Sequence, residues 1–130
     1  MDKQVVIGSG VSRPSAPYSQ ALLVAAKRQL YISGQVPVDE NGDLVGKGDI
    51  EAQTRKVFAN IQALCEAAGG TLDNVVFLRM YLTDMRFRPA ITEVRNELLR
   101  APYPAATMVQ VSGLASEDWL VEIEAIVALD

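Results

Sequence analysis

Polar and apolar positions alternate most regularly near the C-terminal end of the chain. Trp119, Val121, Ile123, Ala125, Val127 and Leu129 fall on one side, and Leu120, Glu122, Glu124, Ile126 and Ala128 on the other, which is the period of a β-strand. Two glutamates thus share one face between Leu120 and Ile126. Carboxylates on a mostly apolar strand need donors, a cation or a proton; the competing reading is an outer strand with two solvated acids. A second strand is predicted over 75–84, with Val76, Leu78, Met80 and Leu82 on an apolar side and Phe77, Arg79 and Tyr81 on the other. Arg79 either neutralises Glu122 or Glu124 from a neighbouring strand or lies as an exposed stem over the sheet.

Elsewhere the spacing switches to three and four residues. Thr54, Val57, Phe58, Ile61, Leu64, Cys65 and Ala68 predict a helix over 50–68, capped by Asp49 and closed by Gly69-Gly70. Pro89 opens a second helix near its first position, with Ile91, Val94, Leu98 and Leu99 as its apolar stripe. Upstream, strands are predicted over 3–7, 21–26 and 29–34, the last two forming a hairpin that turns at Lys27-Arg28. The segment from Ser12 to Gln20 carries two prolines and reads as an extended loop delivering Tyr18, Ser19 and Gln20. Gly34 marks either a close approach of the backbone to a ligand or another chain, or a relieved bulge.

The resulting order, ββ(β)αβαββ, predicts an α+β two-layer domain over residues 1–130, with two helices on one face of a mostly antiparallel sheet. The helix-free face then carries Leu120, Ile126, Phe77, Tyr81 and Met108. That is more apolar sheet than a small domain leaves in water, so a homo-oligomer with ligand clefts between subunits is expected.

Composition narrows the chemistry. The 130 residues are 49% hydrophobic, enough for a core, and the net charge of −4 with scattered Lys and Arg argues against a nucleic-acid partner. No apolar stretch is long enough to cross a bilayer and the N-terminus has no secretory h-region, so no membrane partner is expected. The one cysteine, Cys65, precludes an internal disulfide, fits a reducing, cytoplasmic compartment, and falls on a helix stripe as core filler. The absence of histidine removes imidazole acid–base work and His-based metal sites. With no acidic cluster of ligand spacing and no glycine-rich phosphate loop, neither a metal nor a cofactor is expected. What remains is the hydroxyls of Tyr18, Ser19, Ser33 and Thr107, the backbone N–H groups near Gly34, and Glu122 with Glu124. Such groups orient a water or polarise a small ligand.

These residues also carry a family likeness. APYSQ (Ala16 to Gln20), YISGQVPV (Tyr31 to Val38), EAAGG at the end of the first helix, YLTD (Tyr81 to Asp84), YPA (Tyr103 to Ala105) and VEIEAIV (Val121 to Val127) occur in order and nearly end to end. Together they resemble the Rid family (reactive intermediate deaminase, RidA/YjgF), also labelled endoribonuclease L-PSP. The resemblance implies a chorismate-mutase-like fold assembled as a homotrimer with three interface clefts. It also implies hydrolysis of short-lived enamines and imines, such as 2-aminoacrylate, to a 2-keto acid and ammonia without cofactor or metal. The acidic balance and the lack of histidine count against a ribonuclease.

Position by position, Tyr18 resembles the family's cleft tyrosine, Ser33 and Gly34 its floor, and Glu122 the glutamate that orients the attacking water. Glu124 falls on the second glutamate of the same run. Ala106, Thr107 and Met108 fall in the substrate-binding run of the penultimate strand, and there the sequence departs. The family's deaminases read P-A-R, the arginine clamping the substrate carboxylate; here the run is Pro104-Ala105-Ala106, with Met108 where a cysteine is usual and Thr92 in place of a helix asparagine. Two charge-assisted hydrogen bonds of roughly 1.5–3 kcal/mol each are lost, so affinity for a 2-imino acid is expected to fall by about two to four orders of magnitude. The resemblance therefore implies an imine or other small ligand lacking the usual carboxylate, unless Arg79 or Arg95 reaches in. The alternative is a trimer that binds a metabolite or a protein partner without turnover.

Overall fold

In the computed structural model, which describes residues 1–130, the chain runs β1 (Asp2–Val5), β2 (Leu22–Ala25), β3 (Arg28–Gln35), α1 (Ile50–Ala67), β4 (Val75–Leu82), α2 (Arg88–Leu98), β5 (Ala105–Gln110) and β6 (Val121–Leu129). This is the expected α+β order. Short 3-10 turns precede β4 and α2. The main sheet has the order β3-β6-β4-β5, and β1 and β2 form a separate antiparallel pair.

Two pairings differ from expectation. The hairpin between β2 and β3 does not form. Arg28 pairs instead with Leu129, and the Lys27 N–H donates to the Leu129 carbonyl at 3.1 Å. The nine residues of β6 offer the eight of β3 a longer ladder than the four of β2 can. Nor are β5 and β6 partners. β6 inserts between β3 and β4, antiparallel to both, while β5 lies parallel to β4 because α2 carries the chain back between them.

The helices start and stop for local reasons. The Asp49 carboxylate accepts from the Ala52 N–H at 3.1 Å, and Gly69 turns the chain out of α1 at a φ of 92° that a side chain would resist. Val57, Phe58, Ile61 and Cys65 are buried as their spacing predicted; Leu64, at the margin of that stripe, is exposed. From α2, Ile91 and Val94 close the layer over Leu78, Met80 and Leu82 of β4 and Val121, Ile123 and Val127 of β6. Each fully buried side chain of this kind contributes about 1.5–3 kcal/mol. A register shift between Val75 and Phe77 places Val75, not Val76, in the core.

Met108 also changes sides. It was expected on the helix-free face, but it stands opposite Met80 in the parallel ladder and packs against the core, as does Ala106. Parity along β5 put Ala106 and Met108 together; only the pairing with β4 decided which side that was. No helix is long and apolar enough to cross a membrane.

Burial pushes the Cys65 thiol up to about 11. Thiolate is the reactive form, so iodoacetamide at pH 8 is expected to leave the native protein unlabelled and to modify one thiol after unfolding. Fast labelling of the folded chain would contradict a core position.

Candidate functional site

On the helix-free face the two glutamates of β6 have different surroundings. Glu124 lies opposite Arg79, whose Nη1 donates to its Oε1, and the Tyr81 hydroxyl donates to the same oxygen at 3.1 Å. The Arg79 guanidinium also sits 5.2 Å from the Phe77 ring centroid. Arg79 is therefore the counter-ion of Glu124.

Glu122 differs. No ion pair or side-chain hydrogen bond within the chain engages it, and its carboxylate lies over Gly34 of β3. A Cβ on Gly34 would overlap Glu122 Oε2 and stand 2.8 Å from Cδ. Gly34 also lies in the register shift between Ile32 and Gln35, the bulge that the sequence left open, and its missing Cβ leaves the room that the Glu122 carboxylate occupies. Gly34→Ala is expected to fold, because the atoms it meets belong to a movable side chain, and to displace the carboxylate. A displacement of about 1 Å costs on the order of 100-fold in turnover when geometry matters. Equal kcat/KM for Gly34→Ala and wild type would remove Glu122 from the chemistry. Ser33 is exposed in a shallow groove with Tyr31, Phe77, Arg79, Glu124 and Ile126. Thr107 is exposed and pairs with Arg79 in register.

On the opposite side of the sheet a cleft of about 470 Å³ opens between the loop after β1, strands β4 and β5, and α2. Its lining includes Tyr18, Met80, Arg88, Arg95, Ala106 and Met108. Ser19 builds it. Its N–H donates to the Pro104 carbonyl at 3.0 Å, its hydroxyl donates to the Tyr103 carbonyl, and it bridges to Ala105. The proline-bearing loop is thereby clipped along the edge of β5, and Tyr18 is held at the cleft wall.

Arg95, one of the two arginines that the sequence offers for the cleft, lies within it. It is 3% exposed, its Nη2 donates to the Pro17 carbonyl at 3.0 Å, and its buried Nε has no acceptor. No carboxylate of the chain pairs with it. Burial, and then the neighbouring Arg88, lower its pKa from the ordinary guanidinium value, with Tyr18 acting in the opposite direction. The group nonetheless stays charged. Its burial was legible in principle, since Arg95 stands four residues after Ile91 on the inward stripe. Arg95 and Ala106 thus line the same cleft.

One chain does not unite the predicted residues. Tyr18, Ala106 and Met108 line the cleft on the helix side, whereas Gly34 and Glu122 belong to the other face, with Ser33 and Thr107 exposed outside the cleft.

The profile of the family described as endoribonuclease L-PSP matches residues 10–129. The chain is 42% identical over 124 residues to a RutC family protein of Pyrococcus horikoshii, covering 95% of this chain and 96% of that protein. It is 40% identical over 126 residues to the 3-aminoacrylate deaminase RutC of Acinetobacter baylyi, covering 97% and 98% respectively. Among solved structures, a Rid family protein from Yersinia pestis matches with a TM-score of 0.89 and 34% identity over 99% of this chain and 100% of its own. RidA from an Antarctic Psychrobacter matches with a TM-score of 0.72 and 38% identity over 97% and 99%. With the sequence motifs, the order of elements and these likenesses in agreement, the chain belongs to the Rid family, the family also labelled endoribonuclease L-PSP.

Proposed function

We propose that the protein hydrolyses small reactive enamines and imines to a carbonyl compound and ammonia. The site is shared between subunits of a homotrimer, Glu122 of one subunit facing the Tyr18 and Ala106 cleft of the next. The observation that carries this is the difference between the two glutamates: Glu124 is neutralised by Arg79, while Glu122 has no cation and no donor in its own chain. An unengaged carboxylate on an apolar face is a base waiting for a water. The placement of carboxylate and cleft on opposite faces of one sheet supports a shared site, in which a second copy brings one to the other. The apolar, partly covered Phe77, Ile126 and Leu120 and the exposed Tyr31 supply surface for that contact.

The chemistry asks little of the protein. An enamine tautomerises to its imine. Glu122 takes a proton from water as the water oxygen bonds to the imine carbon, and the nitrogen gains a proton to give a carbinolamine. The nitrogen's first proton is the one that Glu122 took from water; Glu122 then takes the hydroxyl proton and passes it to the same nitrogen, so that the C=O bond forms as the C–N bond breaks and ammonia leaves. The deaminase relative from Acinetobacter supports a small amino-acrylate as substrate.

The test is to generate 2-aminoacrylate, 2-iminobutyrate and 3-aminoacrylate in situ and follow carbonyl release. Acceleration over spontaneous hydrolysis is expected for at least one of them. Rates equal to the spontaneous ones for all three would reject the reading, and a monomer in sedimentation equilibrium at assay concentration would reject the shared site.

A further inference from the structure

A buried guanidinium without a counter-ion is the least expected feature of this chain. Isolated charges are strongly disfavoured away from water, and buried ones are paired or serve a ligand. Arg95 is enclosed, holds one backbone carbonyl, and has an N–H without an acceptor. It also lines an open cleft. A second arginine, Arg88, stands at the rim, and no Asp or Glu lines the same cleft. Two cations with no acid favour an anion. The rest of the lining sets its kind: Met80, Met85, Ala106 and Met108 are apolar, Tyr18 brings a hydroxyl and Gln20 an amide. One enclosed guanidinium in a mostly apolar lining suits a small anion with a short apolar body, such as a short-chain carboxylate, better than a phosphate whose every oxygen is polar.

We propose that Arg95 is the carboxylate-binding residue of this cleft, holding a short-chain carboxylate substrate from helix α2 where β5 offers only the methyl group of Ala106. The inference rests on the cleft being the substrate's seat, and it restores to that substrate the carboxylate that Ala106 had argued away. Arg88 adds a weaker, solvent-screened attraction at the rim. The guanidinium has moved from strand to helix, and the anion it recognises is unchanged.

Equilibrium binding of 2-oxobutanoate, measured calorimetrically without turnover, tests this directly. Its amide serves as the uncharged control and inorganic phosphate as the rival anion. Wild type is expected to bind the keto acid at least about tenfold more tightly than either. Arg95→Met is expected to weaken keto-acid binding by about 10- to 100-fold, Arg88→Gln by less than about fivefold. Adding Ala106→Arg to Arg95→Met should recover most of the loss. Because Arg95 also holds the Pro17 carbonyl, Arg95→Met could fail to fold. The Arg95 Nε–H resonance of the wild-type protein, assigned by its absence in Arg95→Lys, then gives the answer, and it is expected to shift with 2-oxobutanoate and not with the amide.

An unmoved resonance at saturation, equal affinity for acid and amide, tighter binding of phosphate, or a folded Arg95→Met that binds the keto acid like wild type would each overturn the proposal. Failure of the deaminase reading looks different: carboxylate binding through Arg95 would persist while no imine is hydrolysed. Conversely, imine hydrolysis with a KM indifferent to Arg95→Met would sink this inference alone.

Discussion

Glu122→Gln is expected to lower kcat/KM for imine hydrolysis by about two to four orders of magnitude, the range that a positioned general base contributes. The fold should not notice. The amide is the same size as the carboxylate, still fits over Gly34, and breaks no hydrogen bond or ion pair, because Glu122 makes none within its chain. Glu124→Gln is the matched control, two residues along the same strand. Its carboxylate is held by Arg79 and Tyr81, so its loss should alter local packing of the face and leave the chemical step within a few-fold of wild type. In situ generation of the imine with stopped-flow detection of the carbonyl product separates the two. Full activity in Glu122→Gln would leave the proposed mechanism without its base. Equal losses in both variants would point to the charge of the whole face rather than to one residue.

The second large effect is expected at a residue that no periodicity singled out. Gln53 is wholly buried in α1. Its side-chain amide donates to the Gly46 carbonyl at 3.1 Å and the Asp118 carbonyl at 2.9 Å, while its Oε1 accepts from the Leu120 N–H at 2.9 Å. It ties the loop before the first helix to the segment that leads into β6. Gln53→Leu keeps the volume and strands all three backbone groups. At about 1–3 kcal/mol for each buried unsatisfied group, the unfolding free energy should drop by at least about 3 kcal/mol. Urea titration should show this as a lower midpoint at unchanged m-value. A loss below about 1 kcal/mol would mean that water takes over the three partners. Because Leu120 directly precedes β6, a surviving fraction of Gln53→Leu should also be a poorer hydrolase.

Gln53 and Arg95 illustrate the same difficulty. Both are polar residues on inward helix stripes, and both stand at a helical interval from residues that the pattern did identify, Gln53 four before Val57 and Arg95 four after Ile91. Polar identity argued for the surface and spacing argued for the interior. Spacing was right, because in each case another segment of chain supplies the carbonyl that the buried group needs: Asp118 and Gly46 for one, Pro17 for the other. Gly46 is close in sequence, but Asp118 lies 65 residues from Gln53 and Pro17 lies 78 from Arg95, and nothing local announces those two.

Read from the chain alone, the two helices with the Asp49 cap, the Gly69 stop and the strand period that sets Glu122 beside Glu124 were all available. Each depends on residues a few positions apart, and so do the motifs that carry the family likeness. Folding alone decided that β6 rather than β2 pairs with β3, that β5 runs parallel to β4 and turns Met108 inward, that Arg79 goes to Glu124 and leaves Glu122 free, and that Arg95 is closed over beside Ala106. These outcomes come from competition among distant segments for the same hydrogen-bonding edges and the same few ion partners, a contest whose winner no short window of sequence can name.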